Sequence, residues 1–115
     1  MRYVILRHET AQGVHFDFML EAEGALKTWS FAETPRQGVA VECHSLPDHR
    51  LAYLDYEGPI SGGRGSVTCW DRGVYTVERR NEAEWNVTLA GDRLRGIATF
   101  IRSASDERRW RFLLS

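Results

Sequence analysis

The chain has 115 residues, of which 43% are hydrophobic and 27% charged, and a formal net charge of −1; this is the size and balance of one globular domain with a core of ordinary size. That composition excludes wholesale disorder, and the near-neutral charge excludes a protein held on nucleic acid by its overall field, while leaving local fields open. Of the 15 Lys and Arg residues only Lys27 is lysine, so the basic groups are planar forks suited to phosphate oxygens, although a general arginine preference in the source genome explains the same count.

In chain order, the apolar run Tyr3–Leu6 ends at Arg7 and His8, which is too short for a signal peptide, and no later apolar segment approaches membrane-spanning length. Cys43 and Cys69 are too few and too far apart for a CxxC metal site, and nothing in the sequence pairs them. These features predict a soluble, cytoplasmic protein with reduced thiols.

Tyr3–Arg7 is the first expected strand. The stretch His8–Glu21 organises the rest of the chain: beyond Gly13 it alternates, with His15, Asp17, Met19 and Glu21 on one side and Phe16, Phe18 and Leu20 on the other. This is the period of a strand with a buried face. Residues two apart in such a strand lie roughly 6.6–6.8 Å apart and point the same way, close enough for His15 and Asp17 to reach one cation. His8 supplies a third ligand if the Thr10–Val14 loop folds it back. Two imidazoles and a carboxylate on one side of a divalent metal leave positions open for water and substrate. From spacing alone the same residues also fit the wet face of a half-buried strand that holds no metal.

Ala22-Glu23-Gly24 fits a three-residue hairpin loop with glycine in the left-handed position. That loop sets Met19 opposite Lys27 and Asp17 opposite Trp29, bringing Lys27 onto the face of His15 and Asp17 as a phosphate clamp or a solvated lysine. Trp29–Phe31, a loop carrying Pro35 and Arg36, and the apolar run Val39–Val41 come next. Cys43–Arg50 reads as an irregular connection: His44 is a surface residue, and His49, ahead of an expected strand Leu51–Tyr56, is placed to act as an acid or phosphate contact. Gly58–Gly65 is a wide turn with no following helix pattern and no GK[ST] ending, which excludes a P-loop. Strands are expected at Ser66–Trp70, Val74–Glu78, Trp85–Leu89, Leu94–Ile101 and Arg109–Leu114, with tight turns at Asp71-Arg72-Gly73 and Ala90-Gly91-Asp92. No stretch has helical periodicity. Many short strands with Gly, Pro and Asp turns predict an all-β fold, an antiparallel β-barrel or strongly curved sheet, with Trp29, Trp70, Trp85 and Trp110 in its core.

Taken together, these segments resemble the 3′-phosphoesterase domain family of bacterial DNA ligase D. His8 with His15-Phe16-Asp17-Phe18 and Leu20-Glu21 is similar to the family signature HxxxxxHYDFRLE, and Gly24–Trp29 to GxLKSW. Asp48–Gly58 is similar to DHPLDYADFEG, Gly65–Gly73 to GTVxVWDRG, Leu94-Arg95-Gly96 to LKG and Trp110–Leu114 to WLLIK. The matches run in order over almost the whole chain, so residues 1–115 are expected to form a single phosphoesterase-like domain.

The resemblance implies a manganese-dependent enzyme that trims nucleic-acid 3′ ends in repair, removing a terminal ribonucleoside and then the 3′-phosphate to leave a 3′-hydroxyl. It implies His8, His15 and Asp17 as metal ligands, His49 and Tyr53 as catalytic groups on the phosphate side and Lys27 as an oxyanion partner. The partners implied are the 3′ ends of DNA or RNA-containing strands, with a ligase or repair protein in trans and no membrane. Two departures stand out. Six residues separate His8 from His15 where the family has five, to be absorbed by a bulge at Gly13 or by displacement of His8. Met19 stands where the family has arginine, removing a charge-assisted contact worth on the order of 1.5–3 kcal/mol; Arg64, Arg36 and Arg50 are the candidates to replace it. A non-catalytic module that binds nucleic-acid ends through a retained metal, and a hydrolase of small phosphodiesters, are the competing readings.

Overall fold

A computed structural model describes residues 1–115. Nine strands form one antiparallel sheet: β1 (Arg2–Thr10), β2 (Gly13–Ala22), β3 (Ala25–Phe31), β4 (Val41–His49), β5 (Gly58–Pro59), β6 (Ser66–Asn81), β7 (Glu84–Gly91), β8 (Arg95–Arg102) and β9 (Arg109–Leu114). Their order is β1-β2-β3-β4-β9-β8-β7-β6-β5, and β1 also pairs with β6, so the sheet curls until eight strands make a ring. The expected all-β class and strong curvature are what is found. No helix is long and apolar enough to cross a membrane.

Two apolar clusters sit on opposite faces of this sheet. The larger fills the ring: Phe18, Trp29, Phe31, Phe100 and Phe112 are at most 1% exposed, and Trp29 stacks on Phe100 with ring centroids 4.1 Å apart. Truncating one of these aromatics costs about 3–5 kcal/mol. Three of the four tryptophans are buried there, whereas Trp70 is partly exposed and packed against the core from its edge. The smaller cluster, Val4, Leu6, Met19, Leu26, Leu54 and Val67, lies outside the ring. β1 and β2 are therefore covered on both faces, which is why Tyr3–Leu6 and Phe18–Leu20 are buried without a break.

The β1–β2 register runs unbroken from Tyr3↔Leu20 to Thr10↔Gly13. The extra residue between His8 and His15 therefore makes no bulge and displaces nothing: Ala11 and Gln12 form a two-residue turn, and His8 stands directly opposite His15.

Four expectations are corrected. The β2–β3 loop has two residues, not three: Ala22 pairs with Ala25, and Glu23 and Gly24 take positive φ of 55° and 81°, the backbone that a tight hairpin matched to strand twist requires. Met19 consequently faces Thr28, and Lys27 is opposite Leu20 on the ring-interior side, because a one-residue slip turns every side chain to the other face. Second, Cys43–His49 belongs to strand β4, laddered to β3 by Leu26↔His49 and Ser30↔His44. Third, Leu51–Leu54 is a 3-10 turn rather than a strand, closed by Tyr53 N–H to the Arg50 carbonyl at 3.0 Å; it inserts Leu54 into the outer cluster. Fourth, Asp71-Arg72-Gly73 is not a turn. β6 continues through it, and the shift from Ile5↔Asp71 to Leu6↔Cys69 makes Trp70 the extra residue of a bulge. The bulge sends the Asp71 side chain inward, where Tyr3 Oη donates to it at 2.6 Å.

Candidate metal centre and cleft

Opposed and alternate positions of one hairpin build the centre. His8 on β1 faces His15 on β2, their ring centroids 4.5 Å apart. Asp17, two residues along β2 from His15, is on the same face. His8 Nδ1 and His15 Nε2 each lie 3.2 Å from a different oxygen of the Asp17 carboxylate, and ligand atoms from all three residues fall within 4.8 Å of one another. They form a metal-binding triad.

The donor set fits a divalent cation on two observations. The Asp17 side chain is 4% exposed, yet its Oδ1 has no hydrogen-bond partner; the approach of His15 satisfies a distance but not a hydrogen-bond geometry. A buried carboxylate oxygen left unpaired is costly. In addition, His8 Nε2 is 2.7 Å from the Arg64 carbonyl oxygen. A carbonyl only accepts, so Nε2 carries a proton, and Nδ1 is the ring nitrogen that faces the carboxylate, 3.2 Å from Oδ2. Donation of the other ring N–H to a backbone carbonyl is how metal-bound histidines are held, and it leaves Nδ1 as the ligand atom beside Asp17.

The triad opens into a cleft of about 310 Å³ lined by His8, Asp17, His49, Arg50, Tyr53 and Arg64 among others. His49 Nδ1 is 3.0 Å from the Pro47 carbonyl, which leaves Nε2 available, and Tyr53 packs edge-on against the His49 ring at 5.8 Å. Arg64 is braced by Nε donating to the Ser61 carbonyl at 2.8 Å. Arg2 fastens the 3-10 turn that carries Tyr53 through a bidentate contact to Asp55, 2.6 Å at the shorter arm; this pairing holds the Asp55 carboxyl below its usual range. Met19 forms part of the apolar wall and is 1% exposed.

The structure thus gathers His8, His15, Asp17, His49, Tyr53, Arg50 and Arg64. It does not bring Lys27 or Arg36 to them. Lys27 Nζ lies over the rings of Trp29 and Trp110, at 5.2 and 5.7 Å, in a second depression that shares Asp48 with the cleft. Burial there lowers its pKa. Arg36 is exposed in the β3–β4 loop, next to Gln37 and Gly38, which bond the end of β9. The sequence reading missed the Arg64 carbonyl, a main-chain group with no residue code, and Asp48 and Ile60 in the lining.

A cation triad that opens beside an imidazole and two guanidinium groups is the equipment of a metal-dependent phosphoesterase. The family profile described as the DNA ligase D 3′-phosphoesterase domain matches residues 7–102, and the chain belongs to that family. It is 34% identical over 113 residues to the multifunctional non-homologous end joining protein LigD of Pseudomonas aeruginosa, covering 90% of this chain and 13% of the relative. It is 33% identical over 117 residues to the multifunctional non-homologous end joining DNA repair protein LigD of Mycobacterium tuberculosis, covering 94% of this chain and 15% of the relative. The chain thus spans only a small part of the length of the curated relatives it matches.

Proposed function

We propose that residues 1–115 act as one phosphoesterase unit that processes nucleic-acid 3′ ends with manganese, removing a terminal ribonucleoside and then the 3′-phosphate to leave a 3′-hydroxyl. The observation that carries this reading is the buried Asp17 carboxylate between two imidazoles, one oxygen unpaired, at the head of a cleft with two arginines. His8, His15 and Asp17 hold the cation, which when bound supplies Lewis-acid polarisation of a phosphoryl oxygen. Arg50 and Arg64 bind the remaining phosphate oxygens through charge-assisted contacts, replacing from loops the strand arginine whose position Met19 occupies. His49, oriented by the Pro47 carbonyl, presents Nε2 to the phosphoryl group; protonated, it neutralises developing charge and gives a proton to the leaving oxygen. Tyr53 packs the His49 ring in place and borders the phosphate side of the cleft. The curated relatives are named for non-homologous end joining, which supports broken DNA ends as the substrates and a ligase as the recipient of the 3′-hydroxyl product in the cytoplasm.

Incubation with manganese and oligonucleotides ending in a single ribonucleotide or a 3′-phosphate tests the reading. Release of nucleoside and phosphate, abolished by chelation and by His15→Ala, is the expected result. Turnover undiminished by thorough chelation overturns it.

A further inference from the structure

The turn between β5 and β6 is braced more heavily than a connector needs. Pro59 pairs with Ser66, Ile60 N–H donates to the Gly65 carbonyl at 2.7 Å, and the Arg64 side chain bonds back to Ser61 through Nε at 2.8 Å and Nη2 at 3.3 Å. Gly65 has φ +84°, and a Cβ there would overlap the Glu9 carbonyl oxygen and sit 2.9 Å from the Glu9 carbonyl carbon. The turn is thus pressed against the backbone of β1 one residue past His8, which only glycine permits. From that position the Arg64 carbonyl reaches His8 Nε2, while Arg64 is among the residues lining the cleft and its Nη1 makes no hydrogen bond within the chain.

We propose that the turn Ile60–Gly65 is the positioning element of the metal centre: the Arg64 carbonyl fixes the tautomer and tilt of His8, and the Arg64 side chain fixes the anion beside it. Gly65 is the residue that makes this possible, as a positioning residue acting through Arg64. The inference rests on the metal-dependent reading and adds to it. One residue sets both the ligand and the phosphate clamp, through main chain and side chain separately, so the two contributions divide on mutation.

Three measurements on the full chain test this. Nitrogen-15 correlation spectra of the metal-free wild type at alkaline pH are expected to show His8 as the Nε2–H tautomer. Gly65→Ala is expected to lower manganese affinity by about tenfold to a hundredfold, the usual loss when the group holding a metal-bound histidine is removed, with a cooperative thermal transition retained. Arg64→Ala keeps the carbonyl and leaves the turn held by the Pro59–Ser66 pair, the Ile60–Gly65 bond and the approach of Gly65 to Glu9, so manganese affinity stays within about twofold while affinity for thymidine 3′-phosphate falls about tenfold or more. An Nδ1–H tautomer in the wild type overturns the proposal, and needs no variant to fold. So does folded Gly65→Ala with undiminished manganese affinity, or Arg64→Ala losing manganese as severely as Gly65→Ala. Absence of manganese uptake by the wild type overturns the underlying metal assignment instead, a failure the tautomer spectrum keeps separate from that of the turn.

Discussion

Asp17 and Asp71 are buried to the same degree, 3% and 2% exposed, in the same curved sheet, but their surroundings are opposite. Asp71 accepts from Tyr3 Oη at 2.6 Å, from Arg93 N–H at 2.7 Å and from Leu94 N–H at 3.2 Å. It fastens the loop after β7 to the place where β1 and β6 close the ring, and needs nothing further. Asp17 has only the two imidazoles, with Oδ1 unpaired. One carboxylate is satisfied by the fold; the other is left by the fold for a cation. The cost of a buried carboxylate oxygen without a hydrogen bond separates a structural acid from a functional one, where burial alone does not.

Exchanging the two losses puts this contrast at greatest risk. Asp17→Asn removes a ligand and should lower manganese affinity by more than about a hundredfold, since losing a supporting contact alone costs 10–100-fold. The metal-free variant should nonetheless melt no lower than wild type, because the change removes a buried charge one of whose oxygens has no hydrogen-bond partner. Calorimetric manganese titration and a thermal melt of the same sample check both halves. Asp71→Ala should do the reverse: about 3–5 kcal/mol lost in denaturant unfolding, as three donors lose their acceptor in the interior, with manganese affinity within about twofold. Tyr3→Phe removes one of those bonds and should cost about 1–2 kcal/mol. A destabilised Asp17→Asn would erase the distinction.

The same contrast explains what was legible in the sequence. His15 and Asp17 were, as residues two apart on one strand. His8 joined them only if the Thr10–Val14 loop folded back, and it was the family motifs rather than the spacing that favoured the triad, which the His8↔His15 pairing then assembles. Burial of Met19 was not legible, since alternation placed it on a wet face that the 3-10 turn and the turn after β5 cover with Leu54 and Ile60. Lys27 was misplaced by a single residue of register, set by Glu23 adopting a backbone conformation usually left to glycine or asparagine. β4 was hidden because Cys43 is its only fully buried residue, which leaves no period-2 signal. Asp71-Arg72-Gly73 has turn chemistry, and only the closure of β1 onto β6 shows that its aspartate caps a loop far along the chain. The Arg64 carbonyl was invisible, as a backbone oxygen has no residue code and where it ends up depends on the packing of the turn against β1.

Cys43 offers a third response to burial, smaller in effect. It is 1% exposed and carries an ionisable group that answers burial by staying neutral. Burial, aided by the charge of Glu42, pushes the thiol from 9.0 up to about 12. Above pH 9 the unfolded chain gives up this proton while the folded chain keeps it, so the folded state binds more protons and stability falls as pH rises toward 12. Lys27 leans the other way below 10.5, since its depressed pKa makes the folded chain release a proton first. The comparison that isolates the thiol is therefore wild type against Cys43→Ala. The wild type should lose on the order of 1 kcal/mol more than the variant between pH 9 and pH 10, and the two should run parallel below pH 8. Urea unfolding across that range measures it. Parallel curves throughout would mean that Cys43 meets water in the folded state, and that the β4–β9 side of the ring is looser than the packing of Trp110 and Phe112 around it requires.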